Sequence, residues 1–191
     1  MSSPAVPVSE SDPVDALIAR GNRDGWPATY SKTLAFRRPE LNTLLAIWRE
    51  KAGHRPAPRR NDMDARALKP VLRRITIVER VNENNRCRLR SRLVGSDIAH
   101  RFGDHTGRFL DEFIPAHLLP RWADVYHAVI DACCPIRVWA PFDHPRVSYL
   151  SGECLLAPLL DESGGSNLLL TATYFFRRGK DCDNAEPAEG E

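Results

Sequence analysis

A strict alternation of arginine with smaller side chains marks one stretch of the chain as a β-strand. Between positions 86 and 93 every second residue is an arginine, and Leu89 and Leu93 stand between the arginines. Because successive side chains of a strand point to opposite faces of a sheet, Leu89 and Leu93 are predicted to point inward. The opposite face of this strand carries four charges, which we call the arginine row: Arg86, Arg88, Arg90 and Arg92.

Four other stretches have the alternation or the β-branched and aromatic content of strands. Turn-forming residues separate them, including Asp143-His144-Pro145-Arg146 and Gly164-Gly165. After Gly95 the apolar period changes from two to that of a helix, and Gly103 and Gly107 divide this helical region into short turns. The predicted strands, with the arginine-row strand second, cover residues 74–81, 86–94, 135–142, 147–160 and 167–177.

Two amphipathic helices are predicted from apolar residues that recur at helical spacing. Pro39 begins the first of them, and Gly53 ends it. The second covers residues 116–133 and is the strongest helical pattern of the chain. A short third helix, with Asp12 as its N-cap, is predicted upstream of both.

The order of the elements is two strands, a helical region and three strands. This order predicts an α+β domain with one five-stranded antiparallel sheet, helices on one face of that sheet, and the helix that begins at Pro39 as an N-terminal flanking helix. We expect residues 1–38 to be a mostly flexible extension and residues 39–178 to form the domain. Residues 179–191 are expected to be an acidic disordered tail.

Several short motifs occur in sequence through the middle of the chain. They are Trp48, Gly53–Arg60, Leu68–Val81, Arg92-Leu93-Val94-Gly95-Ser96, Phe102-Gly103 and Thr106-Gly107-Arg108. In order and spacing they resemble the motifs of PAS domains, in particular the bacterial PAS family 5, over roughly residues 38 to 178. The chain departs from the family pattern at Ala65, where the family often has proline. The resemblance implies the spatial strand order 2-1-5-4-3, which periodicity alone does not show.

The distribution of charge is uneven along the 191 residues, although the formal net charge is only +2. Between Arg49 and Arg108 there are 16 basic and 7 acidic residues, a local net charge of +9. Residues 181–191 hold five acidic and no basic side chains. A basic middle and an acidic tail can attract each other or attract different partners.

The cysteines and the polar N-terminus indicate a reducing compartment. The chain has five cysteines, an odd number, without CxxC spacing, and residues 2–15 lack the apolar run of a signal peptide. No stretch approaches the roughly 18 apolar residues of a transmembrane helix. We therefore expect a cytoplasmic protein with free thiols and no membrane association.

No motif of a common catalytic class is present, and we do not expect an enzyme. Haem-binding PAS domains use a histidine on or near the long helix, but His117 and His127 fall on or beside its polar side. Flavin photoreceptor PAS domains carry Asn-Cys-Arg-Phe-Leu where this chain has Thr106-Gly107-Arg108-Phe109-Leu110, without the cysteine. His100 and His105 lie in glycine-broken turns and are expected to be solvated. No cofactor and no metal site are expected.

The resemblance implies a sensory or regulatory module that acts in trans on another protein in bacterial signalling. Its mechanism would be a cavity between the inner sheet face and the small helices, whose occupancy by a small molecule changes the surface that a partner contacts. A plain hydrophobic core explains the same residues equally well. The candidate cavity residues are Leu89, Ser91, Leu93, Phe109, Trp122, Tyr126, Tyr149 and Tyr174.

Two surfaces are candidates for partner binding. The helix that begins at Pro39 either packs on the domain, which we favour, or uses Trp48 to bind a partner or a second copy in a homodimer. The arginine row, Arg86, Arg88, Arg90 and Arg92, could instead contact nucleic-acid phosphates or an acidic protein. Because the strand lacks the interleaved aromatic residues used for base stacking, a solvated or covered face is favoured over nucleic acid.

Overall fold

Six strands and four helices form the part of the chain that a computed structural model describes, residues 12–83, 85–142 and 148–178. The helices are α1 (Pro13–Arg23), α2 (Pro39–Ala52), α3 (Ser96–Phe102) and α4 (Leu119–Ala132). The strands are β1 (Thr29–Ser31), β2 (Ile75–Glu83), β3 (Arg86–Val94), β4 (Ile136–Pro141), β5 (Leu150–Leu160) and β6 (Ser166–Arg177). The predicted acidic tail and the predicted turn at 143–146 lie outside the described residues.

The strands form one antiparallel sheet with the order β1-β4-β5-β6-β2-β3. Strands β2 to β6 are the five that the sequence predicted, and they have the order that the resemblance implied. Strand β1 is additional, and Tyr30 pairs with Val138 along the edge of β4. The α+β class, the antiparallel sheet and the long helix α4 are therefore confirmed.

A hydrophobic core lies on each face of the sheet. Alternate residues of β5 divide between the two cores, because Leu155 and Leu159 pack with α2 whereas Leu156 packs with α4. We call the face covered by α4 the inner face and the face covered by α2 the outer face. The helical region after β3 thus covers one face, as predicted, and the flanking helix covers the other.

The flanking helix α2 packs on the domain, as the favoured interpretation expected. Leu41 and Leu44 on its apolar stripe are buried. Trp48 is 5% exposed, and its indole Nε1 donates a hydrogen bond to the Pro158 carbonyl at 2.8 Å. A side chain enclosed in this way offers no surface to a partner, so the predicted partner-binding role of Trp48 is wrong.

Residues 12–38 form ordered elements, and the prediction of a mostly flexible extension is wrong for them. Asp12 caps α1 by accepting a hydrogen bond from the Val14 amide at 2.8 Å. Val14 and Leu17 are buried in the core that α4 contributes to. The apolar stripe of this short helix was visible in the sequence, but the surface that buries it was not.

Strand β3 contains a bulge that changes the direction of one predicted side chain. Ile77 of β2 pairs with Leu93, and the next residue, Val78, pairs with Ser91, so Arg92 is an extra residue in β3. An extra residue inverts the alternation beyond it. Leu89 points inward as predicted, but Leu93 packs against the outer core and its predicted inward direction is wrong.

Candidate ligand-binding cavity

A cavity of about 260 Å³ lies between the inner face of the sheet and the helices α3 and α4. We call it the inner cavity. Its roof is apolar and aromatic, with Ile98, Phe102, Phe113, Trp122 and Val125 among the lining residues. The volume lies just below the usual range for small-molecule sites, about 300 to 1,000 Å³. The space is therefore suited to a small molecule.

Small side chains in the floor account for this space. On the inner side of β6, Thr171 and Thr173 follow Leu169, which is fully buried in the inner core. Thr76 of β2 and Ser91 of β3 also line the cavity. Hydroxyl side chains of this size fill less volume than leucine or phenylalanine, so the floor does not fill the space below the helices.

Burial keeps two titratable groups of the cavity neutral. It raises the pKa of the Cys154 thiol to about 11 and raises the pKa of the Tyr126 hydroxyl above its usual range. The Cys154 Sγ also lies 3.4 Å from the Thr173 hydroxyl oxygen. A nucleophilic or metal-binding cysteine must be a thiolate at neutral pH. Cys154 is therefore a protonated, structural thiol.

His105 is a lining residue that the sequence pattern did not identify, because it was expected at the surface. Its ring stacks on Phe113 with 3.9 Å between centroids, and its Nε2 lies 2.7 Å from the Phe102 carbonyl oxygen. Since a carbonyl only accepts, Nε2 carries the hydrogen and Nδ1 is an acceptor in the neutral ring. Nδ1 is buried without a hydrogen-bond partner among the described residues. Gly103, which has a φ of 95°, forms the turn before His105. This glycine was the only feature of the sequence that marked the position of the ring.

The eight predicted cavity residues are divided between the two faces of the sheet. Ser91, Trp122 and Tyr126 line the inner cavity. Leu89 lies on the same face but in the packed core beside it. Tyr149 is 56% exposed, which places it outside the cavity. The other three residues, Leu93, Phe109 and Tyr174, lie on the outer face.

The outward direction of Phe109 follows from backbone pairing along β3. The Ser91 amide donates to the Arg108 carbonyl at 2.9 Å, so the segment around Phe109 runs beside the strand in extended form. Alternation then turns Phe109 outward and Leu110 into the cavity. The predicted cavity role of Phe109 is therefore wrong by one residue.

Tyr174 points outward because it stands opposite Glu153 in the sheet, on the side that α2 covers. The guanidinium of Arg74 lies over its ring, 4.6 Å from the centroid, and that of Arg38 lies at 4.9 Å. These contacts hold the ring against the start of α2. The predicted cavity role of Tyr174 is wrong.

The arginine row lies largely on the outer face and is matched by acids of the same chain. Arg88 binds Asp111 through two hydrogen bonds, at 2.9 and 2.7 Å, and its guanidinium lies 3.6 Å from the Phe109 ring centroid. Arg90 binds Glu79 at 2.7 Å. Arg92 approaches the same carboxylate at 3.4 Å, and Arg86 is exposed. Internal pairing reduces the positive potential available to an external anion.

Replacing Arg88 and Arg90 together by serine is expected to change the free energy of unfolding by no more than about 1 kcal/mol, because partly exposed ion pairs contribute little. Leu89→Ala, on the opposite face of the same strand, is expected to cost about 2 to 5 kcal/mol through a cavity. Urea unfolding of the two variants measures both effects. An unstable double variant beside a stable Leu89→Ala would mean that the two faces are assigned the wrong way round.

An antiparallel sheet of this strand order, with helices over one face and a cavity beneath them, defines a PAS-type domain. A family model described as a PAS domain matches residues 36–173, and the chain belongs to this family, PAS family 5. Among solved structures, the chain is similar to an RNA-binding light-oxygen-voltage receptor, with 11% identity and a TM-score of 0.39. That match covers 60% of this chain and 33% of the receptor chain. No curated protein matches the chain.

The described part of the chain contains neither a metal-binding cluster nor a membrane-spanning helix. Within residues 12–83, 85–142 and 148–178 there is no group of three histidine, cysteine or acidic side chains that could hold a metal ion. No helix in the same ranges has the length and apolar character needed to cross a membrane.

Proposed function

We propose that this PAS domain is a sensory module that binds a small molecule in the inner cavity and acts in trans by presenting an altered surface to another protein. PAS domains are in general sensory and regulatory modules, and this one belongs to that class. The observation that carries the proposal is the mostly apolar cavity of about 260 Å³ beneath α3 and α4.

Strand β5 offers a direct route from the cavity to the outer face. Cys154 and Leu156 line the cavity, while Glu153 and Leu155 point to the opposite side of the same strand. The Glu153 carboxylate accepts a hydrogen bond at 3.1 Å from the backbone amide of Arg38, the residue that precedes α2. A ligand that displaces β5 would therefore also displace the start of α2, which is the surface we propose for the partner.

The proposed setting is bacterial signalling in the cytoplasm, without catalysis by the chain itself. The protonated state of Cys154 supports a role without nucleophilic chemistry. The described cysteines, Cys87, Cys133, Cys134 and Cys154, are free thiols, which fits a reducing compartment. A homodimer is part of the proposal, since a second copy can serve as the partner.

Native mass spectrometry of the purified protein tests the proposal. We expect the wild type to carry a bound small molecule and Ser91→Leu, which fills the cavity floor, to lose it while remaining folded. Ser91 is 2% exposed and lines the cavity, whereas the control Thr33→Leu changes an exposed position and should keep the ligand. The same spectra report the oligomeric state.

Two outcomes would contradict the proposal. One is a bound mass that persists unchanged in Ser91→Leu, which would place the ligand elsewhere. The other is a wild type that carries no small molecule and does not bind an apolar dye, such as Nile red, in the cavity. Dye binding in the cavity would be recognised by its loss in the Ser91→Leu variant.

Binding of an acidic protein is a second candidate function, with a different surface from the arginine row. The exposed side of the layer formed by α2 and the segment before β2 carries cations without an ion pair to any described residue. They are Arg49, Lys51, Arg66 and Lys69. Their buried neighbours, such as Leu68, pack in the same outer core, so these cations share one side of the molecule.

An acidic protein fits this layer better than nucleic acid does. Single-stranded nucleic acid is bound through aromatic side chains that stack on bases. The one large hydrophobic side chain exposed among the described residues, Tyr149, lies at the start of β5, whereas the layer adjoins the other end of that strand. Poly-glutamate is a probe for this candidate. Its binding should weaken as salt is added, and it should be weaker for the double variant Lys51→Ser with Arg66→Ser than for the wild type. Stronger binding of duplex DNA than of poly-glutamate would favour nucleic acid.

A further inference from the structure

Arg121 carries the one permanent charge in the described lining of the inner cavity. It lies in the first turn of α4, and within the described ranges its guanidinium has no hydrogen bond and no ion pair. Tyr30 of β1 lines the same cavity and is 9% exposed. Burial raises the pKa of the Tyr30 hydroxyl, and the charge of Arg121 opposes that rise.

A guanidinium without an acid beside apolar side chains favours an anionic partner. Arg121 is half-buried, so a ligand that fills the cavity would withdraw its guanidinium further from water, which costs free energy unless an opposite charge or hydrogen bonds compensate it. The described lining contains no aspartate and no glutamate, so this part of the chain does not supply the compensation. The parallel N–H groups of arginine match a carboxylate, and the tyrosine hydroxyl can donate one more hydrogen bond.

The rest of the lining requires that the ligand be largely apolar. Phe102, Phe113 and Trp122 present aromatic surface to the cavity, and the hydroxyl groups of the floor are small and neutral. A fully polar acid would lose hydration along this surface without gaining hydrogen bonds. A neutral hydrocarbon would leave Arg121 without compensation.

We propose that the inner cavity binds a small amphipathic carboxylic acid, whose carboxylate pairs with Arg121 and the Tyr30 hydroxyl while its hydrocarbon part lies among the aromatic side chains. This inference rests on the proposed function, because it names the class of ligand for the same cavity. It assigns Arg121 the role of selecting the head group and the aromatic roof the role of holding the body.

Three probes with one hydrocarbon body and different head groups test the inference: octanoate, octanol and octylamine. Isothermal titration calorimetry on the full chain at neutral pH gives the three dissociation constants. We expect octanoate to bind about 10-fold to 100-fold more tightly than octanol, because a charge-assisted pair is added to the same apolar contact. Octylamine should bind most weakly, since its charge repels Arg121.

Arg121→Leu separates the head-group contact from the apolar contact. This variant should bind octanol as well as the wild type does, which shows that the cavity is intact, and should bind octanoate no better than octanol. Arg23→Leu is the matched control for net charge, because Arg23 is exposed on α1 and pairs with Asp24. It should keep the preference for octanoate.

The outcomes distinguish this inference from the proposed function. Equal binding of octanoate and octanol by the wild type, or an octanoate preference that survives in Arg121→Leu, would overturn the carboxylic-acid inference and leave a ligand-binding cavity. If none of the three probes binds and native mass spectrometry finds no retained molecule, both the inference and the proposed sensory function fail.

Discussion

Replacing Glu153 by leucine is expected to lower the free energy of unfolding by about 3 to 5 kcal/mol, because it leaves a largely buried guanidinium without its acid. Glu153 is completely buried, and Arg137 donates to its carboxylate from Nε at 2.8 Å. The backbone amides of Arg37 and Arg38 donate to the same carboxylate at 3.0 and 3.1 Å. Loss of the carboxylate leaves these donors unpaired as well.

Urea unfolding of Glu153→Leu measures this loss. Glu83→Leu is the matched control, because Glu83 is exposed and its ion pair with Arg88 spans 3.3 Å at the surface. The control should change stability by no more than about 1 kcal/mol. Adding Arg137→Leu to Glu153→Leu should restore part of the loss, since the unmatched charge is then removed. A Glu153→Leu variant as stable as the wild type would mean that the carboxylate does not hold the start of α2.

Trp48→Ala is expected to destabilise the domain by about 3 to 5 kcal/mol, the usual cost of removing a buried indole from a core. Trp48 packs in the outer core with Leu44 and Leu159, and its hydrogen bond reaches the Pro158 carbonyl at 2.8 Å. Thermal and urea unfolding measure the loss.

Trp48→Phe separates the hydrogen bond of this side chain from its packing. It keeps most of the aromatic volume but leaves the Pro158 carbonyl without its donor, which costs about 1 to 3 kcal/mol. It should therefore lose less stability than Trp48→Ala. A Trp48→Ala protein that unfolds like the wild type but fails to bind a partner would restore the partner-binding interpretation of this residue.

The helices and strands with a strong period could be predicted because burial imposes that period directly on the sequence. The stripe from Leu41 to Trp48 predicted α2 together with its buried face, and the apolar face of α4 behaved in the same way. The order of the strands in the sheet could not be predicted in this way. Periodicity does not encode which strand pairs with which, and the correct order came from the family resemblance.

Single-residue irregularities account for two of the errors in the candidate site. The extra residue Arg92 turned Leu93 away from the cavity, and the pairing of Arg108 with Ser91 placed Leu110 where Phe109 was expected. Both are one-residue changes of register, and a period of two makes each of them reverse the direction of a side chain. Neither leaves a trace in the pattern of apolar and polar residues.

A cavity is harder to predict than a core because the same residue types line both. Trp122 and Tyr126 were named from the apolar face of α4, and they do reach the cavity. The space itself depends on small floor residues such as Thr171 and Thr173, which resemble ordinary strand residues in the sequence. Glu153 did have a signal, as the one charged residue of the mainly apolar β5, and its isolation there indicated a buried charge.

The pairing at the two edges of the sheet restricts how copies of this chain can associate. At one edge β1 pairs with β4, and β1 itself is only three residues long. At the other edge the Gly107 amide donates to the Ser91 carbonyl at 2.7 Å, so the middle of β3 is already paired. Edge strands that are short or already paired resist the addition of a strand from a neighbouring molecule. Within the described residues, fibrous growth by strand exchange is thereby discouraged, which favours the surfaces of the helices and loops for assembly.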